Sequence, residues 1–234
     1  MERLEKLYEG KAKILYTTSD PGLMVQYFKD DASAFNGKKK GTIVDKGVMN
    51  NHMSSRIFQY LEGEGIKTHF VKNLNDREML VKNLEIIPVE VVLRNVAAGS
   101  LCKRVGIEEG QVLEKPILEF YYKSDSLGDP MINEYHIDVF GWATKQEMEF
   151  LKSEGMKVNN LMVKFFQERN IRLVDFKLEF GRHKDEILLG DEISPDGCRL
   201  WHSDTNEKMD KDRFRFDLGK VEEMYQQVYD LICD

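Results

Sequence analysis

One alternating stretch, residues 171–192, constrains the fold of this chain more than any other. Its sequence is IRLVDFKLEFGRHKDEILLGDE, in which apolar and charged residues take turns: Val174, Phe176, Leu178 and Phe180 with Asp175, Lys177 and Glu179. Because successive side chains of a strand point to opposite faces, this pattern predicts a strand with one apolar and one charged face. The polar run that follows predicts a turn and a returning strand, which leads to Asp191.

The register of this hairpin decides whether the charged residues meet. A four-residue loop at 182–185 would place Asp191 opposite Phe176, on the apolar face. A five-residue loop at 182–186 would place Asp191 opposite Lys177, and we predict this register or a bulge with the same effect. A charged face needs water, partners or a metal ion, since desolvating unpaired charges costs several kcal/mol each. The pattern alone leaves a solvated face and a metal site equally open.

Composition bounds the class of protein. A chain of 234 residues with 41% hydrophobic content can bury the core of one large domain or two small ones. Its net charge of -7 argues against nucleic-acid binding by bulk attraction, although a local basic patch remains possible. Three scattered cysteines predict neither a disulfide nor a zinc site. Without an apolar leader or a long apolar run, we expect a soluble cytoplasmic protein with no membrane segment.

The start of the chain predicts a hairpin suited to phosphate. Strands are predicted at 7–17 and 23–29. Gly10 lets a phosphate approach the backbone, and Lys11 and Lys13, two residues apart, are predicted to project from one strand face toward it. A surface hairpin with solvated lysines has the same pattern, so both interpretations stay open.

The polar segment 30–46, with three consecutive lysines, predicts a mobile loop. Ser33, Asn36 and Lys38 are candidates to close over a phosphorylated ligand, and a plain solvated connection is the alternative. Beyond it, the spacing of apolar residues predicts a core-facing helix over 49–63.

A lobe boundary is predicted near the middle of the chain. Further strands are predicted at 68–71, 79–84 and 86–95. A change in composition at Leu84 and Glu85 predicts a hinge between two lobes, residues 1–84 and 85–234. Backbone at such a hinge is well placed to pair with the edge of an adenine.

The segment RNVAAGSLCKR, residues 94–104, is the second informative stretch. Ser100 stands near the start of a predicted helix, whose free N–H groups, together with Arg94, would form an anion site. An ordinary strand-to-helix connection with an N-cap serine is equally consistent. Later strands are predicted at 117–123 and 198–201, and helices at 145–153 after the N-cap Thr144, at 157–170 and at 221–232.

Together these stretches point to ATP chemistry. Two carboxylates on adjacent strands suit Mg²⁺, which takes few protein carboxylates and completes its shell with waters and phosphate oxygens. Positioning and charge neutralisation are the main requirements of phosphoryl transfer. Composition and spacing name no acceptor for the phosphoryl group.

Five motifs, in order along nearly the whole chain, carry a family resemblance. They are LYEGKAK at 7–13, SAFNGK at 33–38, RNVAAGS at 94–100, DFKLEFG at 175–181 and GDEISPDGCRLW at 190–201. The sequence resembles the SAICAR synthetases (phosphoribosylaminoimidazole-succinocarboxamide synthases) of purine biosynthesis. The resemblance implies a two-lobed α+β fold, with an antiparallel β-rich N-terminal lid over a larger α+β body, distantly like the protein kinases.

The resemblance also implies an activity. Such an enzyme joins L-aspartate to the carboxylate of carboxyaminoimidazole ribonucleotide (CAIR) and yields SAICAR, ADP and phosphate. Its partners would be ATP, CAIR, L-aspartate and Mg²⁺, with no nucleic acid or membrane, and a homodimer is the expected assembly.

Roles for individual residues follow from the same resemblance. ATP would contact Gly10, Lys11, Ala12, Lys13, Lys82 and Leu84. The ribonucleotide would contact Arg94, Ser100, Asp129 and Arg199. The Mg²⁺ ligands would be Glu179 and Asp191, the catalytic groups Lys13, Asp175 and Lys177, and the contacts to aspartate Lys211 or Arg215.

A carboxylate is a poor acyl donor, so we hypothesise that ATP first converts the CAIR carboxylate into an acyl phosphate. Lys13 and Lys177 would offset charge, and Asp175 would orient or deprotonate the attacking amine. Two other classes use similar residues. A small-molecule kinase would keep phosphate in its product, and a nucleotide sensor without catalysis would tolerate the loss of Glu179.

Overall fold

The computed structural model describes residues 2–34 and 37–233. The strands are β1 (Lys6–Glu9), β2 (Lys13–Thr17), β3 (Leu23–Phe28), β4 (Asp31–Ala34), β5 (Lys39–Thr42), β6 (Phe70–Asn75), β7 (Glu78–Lys82), β8 (Glu85–Val96), β9 (Val112–Tyr122), β10 (Met131–Ile132), β11 (Ile171–His183), β12 (Glu186–Leu189) and β13 (Cys198–His202). The helices are α1 (Lys46–Gly63), α2 (Ser100–Val105), α3 (Glu134–Phe140), α4 (Lys145–Gln167), α5 (Asp212–Arg215) and α6 (Val221–Cys233), and a 3-10 turn spans Asp125–Leu127.

Two antiparallel sheets organise the chain. The first has five strands in the order β1-β2-β3-β7-β6, and the second has six, in the order β10-β9-β8-β11-β12 with β13 also paired to β11. The predicted α+β class is therefore confirmed. The chain passes from the first sheet to the second between Lys82 and Glu85, and the division into two lobes at that point stays a prediction. Within the described residues, no helix is both long and apolar enough to cross a membrane.

Strand β11 has the two faces that its alternation predicts. Phe176, Leu178 and Phe180 are buried in the main hydrophobic core. Helix α4 packs on this side, against β11 and β8. The opposite face carries the charged residues, and pairing with β8 puts Asp175 opposite Arg94. A single strand thus separates the core from a buried polar layer.

The predicted register of the β11–β12 hairpin is wrong. Phe180 pairs with Leu189 and His183 with Glu186, so the turn has only two residues, Lys184 and Asp185. Lys184 adopts a left-handed conformation with φ 54°, which permits this tight turn. Because lysine rarely adopts this conformation, the sequence did not indicate a two-residue turn here.

Asp191 still reaches the charged face, by another route. The N–H of Gly190 donates to the carbonyl of Glu179 at 2.9 Å, and β12 ends just before it. Asp191 then turns into the left-handed region with φ 62°. Its carboxylate comes within 3.8 Å of Lys177. A local backbone turn at Asp191, and not the register of the hairpin, therefore brings Asp191 close to Lys177.

Other expectations about the first hundred residues also need correction. Residues 7–17 are two strands, since the chain turns back after Gly10, whose N–H donates to the carbonyl of Lys13 at 2.9 Å. Lys11 therefore lies in the turn, and Lys11 and Lys13 do not share a strand face.

The segment 30–46 is not a plain mobile loop, because β4 and β5 pair as an antiparallel hairpin. Ser33 lies in β4 and Lys38 just precedes β5, whereas Asn36 lies outside the described residues. The predicted helices over 49–63 and 221–232 are confirmed as α1 and α6, and α2 begins at Ser100 as predicted.

The predicted helices over 145–153 and 157–170 are one continuous helix, α4. Gly155 interrupts the sequence pattern but not the helix, because it packs closely against β8: a Cβ at this position would lie 3.3 Å from Val91. Helix α3 was not predicted at all, although Asn133 caps its first turn through N–H groups of Tyr135 and His136.

The start of α4 is tied to β11 by one carboxylate. Thr144 and Glu147 form a capping box, with the Glu147 side chain accepting from the Thr144 N–H at 2.7 Å. The same carboxylate accepts from Arg182 at 2.5 Å. This hydrogen bond to Arg182 is the main reason that the pKa of Glu147 falls to about 2.

We predict a pH-dependent contribution of Glu147 to stability. Its pKa is lowered from 4.5 to about 2, so its stabilisation is present above pH 4.5 and is lost as the pH falls toward 2. The difference in free energy of unfolding between wild type and Glu147→Gln should therefore shrink across that window in urea titrations. In an Arg182→Gln background the shrinkage should be smaller, and a difference independent of pH would contradict the assignment.

Candidate active site

Lys177 stands at the centre of the charged face of β11. Its ammonium group donates to Glu90 at 2.9 Å and to Glu179, and it lies 3.8 Å from Asp191. Lys123 donates to Glu179 as well, at 2.7 Å. Burial acts to lower the pKa of Lys177, but the surrounding carboxylates outweigh it and hold that pKa well above its ordinary value.

The first sheet supplies another cation to this cluster. Lys13, the first residue of β2, donates to Asp191 and lies 4.0 Å from Glu192. Burial would raise the pKa of Asp191, but Lys13, Lys177 and Lys123 outweigh it and the pKa is lowered, so this carboxylate is ionised. The cluster therefore joins the two sheets through alternating charges.

The carboxylates of this cluster suit a hard cation. Glu179 and Asp191 both approach Lys177, so they lie on one side of the sheet. In residues 2–34 and 37–233, no group of three or more His, Cys, Asp or Glu side chains could hold a metal ion by itself. Such a donor set fits Mg²⁺, which uses one or two protein carboxylates and takes its other ligands from water and phosphate.

A second group of charges lies further along the same face. Arg94 donates to Asp175 at 2.7 Å, to Glu119 at 2.8 Å and to the hydroxyl of Ser100 at 3.1 Å. Arg199 donates to both oxygens of Asp175, at 3.0 and 2.9 Å. The structure thus brings together Arg94, Ser100, Asp175 and Arg199, which the sequence analysis places in the ribonucleotide and catalytic sets.

Asp175 is buried, and the backbone of the 94–100 segment passes close to Arg199. Burial raises the pKa of Asp175, although both arginines act against this shift. Gly99, with φ 57°, brings its backbone close to Arg199, where a Cβ would lie only 2.6 Å from the guanidinium. The backbone of Gly99, with φ 57° and ψ -123°, favours glycine at this position, and the lack of a side chain leaves room for the Arg199 guanidinium.

The two candidate contacts to aspartate diverge. We call the set of Arg94, Ser100, Glu119, Asp175 and Arg199 the arginine group. Arg215 donates to Asp212, which in turn accepts from Arg199 at 2.8 Å, so Arg215 is linked to this group. Lys211 points elsewhere, toward Asp196 at 3.7 Å, and its pKa is lowered by burial. Of the two, Arg215 has the better connection to the candidate site.

The remaining candidates lie around this centre. Lys11 extends from the β1–β2 turn to Asp125 at 2.6 Å. Asp129, in the left-handed region at φ 49°, accepts from the N–H of Ser124 at 2.9 Å. The carbonyl of Ala12 accepts from the N–H of Lys29 at 2.8 Å. These contacts order the turn over 10–13 and the loop that carries Asp129.

The predicted adenine segment borders the β11–β12 hairpin. The ammonium of Lys82 donates to the carbonyl of Thr68 at 3.2 Å. The Leu84 side chain lies over two glycines, since a Cβ on Gly181 or Gly190 would come within 2.7 Å of it. Residues 82–84 are thereby placed beside the strand that carries Glu179.

Sequence reasoning missed several residues of the candidate site. They are Glu90, Lys123 and Glu192 in the cluster around Lys177, and Glu119 and Asp212 beside the arginines. A signal for Glu90 was present. In β8 the charged residues Glu90 and Arg94 alternate with Val91 and Leu93, which is the same period of two that marks β11. The other four need knowledge of which strands and loops meet.

We predict that Asp175→Asn lowers the free energy of unfolding by about 1.5–3 kcal/mol, because it removes the charge that Arg94 and Arg199 share, while Glu119 remains as a partner of Arg94. The side chains of Arg94 and Asp175 are only 4% and 6% exposed. Urea unfolding monitored by circular dichroism measures the change. The control is Glu109→Gln, whose exposed pair with Lys208 should contribute less than about 1 kcal/mol. Equal effects of the two variants would contradict a buried, stabilising pair.

Comparison with known proteins places this arrangement in a family. The family model described as SAICAR synthetase matches residues 6–232. A phosphoribosylaminoimidazole-succinocarboxamide synthase from Pelodictyon phaeoclathratiforme is 59% identical over 234 residues, which is 100% of this chain and 99% of that protein.

Solved structures agree. The crystal structure of phosphoribosylaminoimidazole-succinocarboxamide synthase from Ehrlichia chaffeensis has a TM-score of 0.95 and 51% identity, covering 97% of this chain and 98% of that one. A SAICAR synthetase in complex with ADP has a TM-score of 0.93 and 46% identity, covering 96% of both chains. The chain therefore belongs to the SAICAR synthetase family, whose members are ligases.

Proposed function

We propose that this enzyme joins L-aspartate to the carboxylate of CAIR at the expense of ATP, giving SAICAR, ADP and phosphate. One observation carries the proposal. Strand β11 presents Asp175, Lys177 and Glu179 on one face, so the arginine group and the lysine–carboxylate cluster adjoin on a rigid strand. The ADP complex of a relative that is 46% identical supports a nucleotide at the same fold.

The nucleotide is assigned to the boundary of the two sheets. The turn over 10–13 would cover the phosphates, with Lys11 and Lys13 as cations, and residues 82–84 would border the adenine. Glu179 and Asp191 would hold Mg²⁺, which when bound offsets the negative charge of the phosphates. Both carboxylates are ion-paired with lysines, which supports the assignment, because a phosphate bound to a metal at these carboxylates would lie near the same lysines.

The ribonucleotide is assigned to the arginine group. Arg94 and Arg199 are fixed by Asp175, and Ser100 adds a hydroxyl donor beside Arg94. Guanidinium groups suit a phosphate monoester, and Arg199, with 20% of its side chain exposed against 4% for Arg94, is the more accessible of the two. Asp129, on the ordered loop near Lys11, would lie toward the imidazole.

The chemistry follows from the weakness of a carboxylate as an acyl donor. An oxygen of the CAIR carboxylate would attack the γ-phosphorus in line and release ADP, with Lys13 and Lys177 stabilising the charge. The aspartate amine would then attack the acyl carbon, so that the C–N bond forms and phosphate departs. Asp175 would orient the amine or accept its proton, since burial raises its pKa. Arg215, rather than Lys211, would hold an aspartate carboxylate. We also propose a cytosolic homodimer, on the family resemblance alone.

The test is an assay with ATP, Mg²⁺ and CAIR, with and without L-aspartate. We predict phosphate release and SAICAR formation in equal amounts, only when aspartate is present. A phosphorylated product formed without aspartate would identify a small-molecule kinase instead, and nucleotide binding with no turnover would identify a sensor.

Lys177→Met should lower kcat by at least about a hundredfold, since it removes charge stabilisation in the transition state.

The acyl phosphate makes its own prediction. If CAIR carries oxygen-18 in its carboxylate, the label should appear in the released phosphate, because one carboxylate oxygen leaves with phosphorus. Mass spectrometry of the phosphate measures this directly. Unlabelled CAIR in oxygen-18 water is the control. Label retained entirely in the amide product would rule out the acyl-phosphate route while leaving the ligase activity intact.

A further inference from the structure

Glu192 is a buried acid with an unpaired carboxylate oxygen in the described part of the chain. Its side chain is 7% exposed, and its Oε2 atom lacks any hydrogen-bond partner within the described part of the chain. The nearest ammonium group is that of Lys13, at 4.0 Å, which is the outer limit of an ion pair. An ionisable oxygen buried in this way is costly, and such atoms in native structures call for an explanation.

The other cations near Glu192 are already engaged. Lys46, fully buried, pairs with Asp196 at 2.5 Å, and Lys211 lies 3.7 Å from that same aspartate. Lys13 donates to Asp191 and not to Glu192. Lys13 therefore stands between two carboxylates on consecutive residues and bonds only one of them.

The proposed function requires a change at Lys13. Asp191 cannot use the same oxygen both for the Lys13 ammonium and for a cation. Lys13 holds Oδ1 of Asp191, so a Mg²⁺ ion at that oxygen would leave the Lys13 ammonium without this partner, in a site where its side chain is only 15% exposed. An unpaired buried ammonium costs several kcal/mol, so a second anion within reach would make the exchange possible.

We propose that Glu192 is the positioning residue that takes over Lys13 when Asp191 binds Mg²⁺. The inference rests on the proposed function, in which Asp191 is a metal ligand. A shift of about 1 Å would bring the Lys13 ammonium from 4.0 Å to hydrogen-bond distance of Oε2. Lys13 thereby keeps its charge and its position beside the phosphates throughout. Asp191 can then bind the metal without leaving the Lys13 ammonium unpaired.

The test is calorimetric titration of the full chain with ADP, with and without Mg²⁺, in wild type and Glu192→Gln. Glutamine keeps the size of the side chain and removes its charge. In wild type, Mg²⁺ should strengthen ADP binding. In Glu192→Gln the metal-free affinity should stay within about twofold, whereas the strengthening by Mg²⁺ should fall about tenfold or more. Glu192→Asp, which keeps the charge on a shorter side chain, should recover part of it.

Two further variants make the outcome decisive. Glu179→Gln should lose the Mg²⁺ effect altogether, and if it does so while Glu192→Gln behaves as wild type, the role of Glu192 is overturned and the metal assignment stands. An undiminished Mg²⁺ effect in Glu179→Gln would overturn the metal assignment itself. In a Lys13→Met background, Glu192→Gln should change nothing further, because Glu192 acts through Lys13. An equal loss there would assign Glu192 a merely structural role.

Discussion

Mutual neutralisation of buried charges on one face of β11 is the constraint on which the rest of the site depends. Glu179 is 3% exposed and Glu90 is 7% exposed, and they stand opposite each other on paired strands. Two carboxylates so placed repel each other unless a cation lies between them. Lys177 fills that position, and Lys123 supplies a second cation. Because Lys13 comes from the other sheet, the same requirement fixes how the two sheets meet.

The alternation of β11 also sets the spacing between the two halves of the site. Residues two apart on a strand lie roughly 6.5 Å apart on the same face. Asp175 thus anchors the arginines one step from Lys177, and Glu179 lies one step beyond. A strand buried against α4 on its other face cannot flex easily, so the distance between these groups is preset. Preset distances of this kind favour reactions that depend on positioning two substrates.

The faces of β11 could be predicted from sequence because a period of two is a local property. The register could not, because it depends on a left-handed conformation at Lys184, and the approach of Asp191 to Lys177 depends on a second one at Asp191; neither residue type indicates this conformation. The continuity of α4 through Gly155 depends on packing against β8, which is a tertiary contact. Glu192 and Lys123 were missed for the same reason, since the charged groups that face them, Lys13 and Glu179, lie far away in the chain. Local patterns therefore located the centre of the site, and long-range pairing determined its composition.

The pairing of lysines with carboxylates lets the candidate site bind a ligand that carries both signs of charge. A nucleotide carries negative charge and its metal carries positive charge, so the two together present both signs at once. In the proposed function, the phosphates would pair with the lysines, Glu192 would also pair with Lys13, and the metal would bind Glu179 and Asp191. Each ion pair in the resting site would be replaced by another, and the net charge of the buried layer would change little. A site built of alternating charges can therefore accept a highly charged ligand without ever burying an unpaired ion.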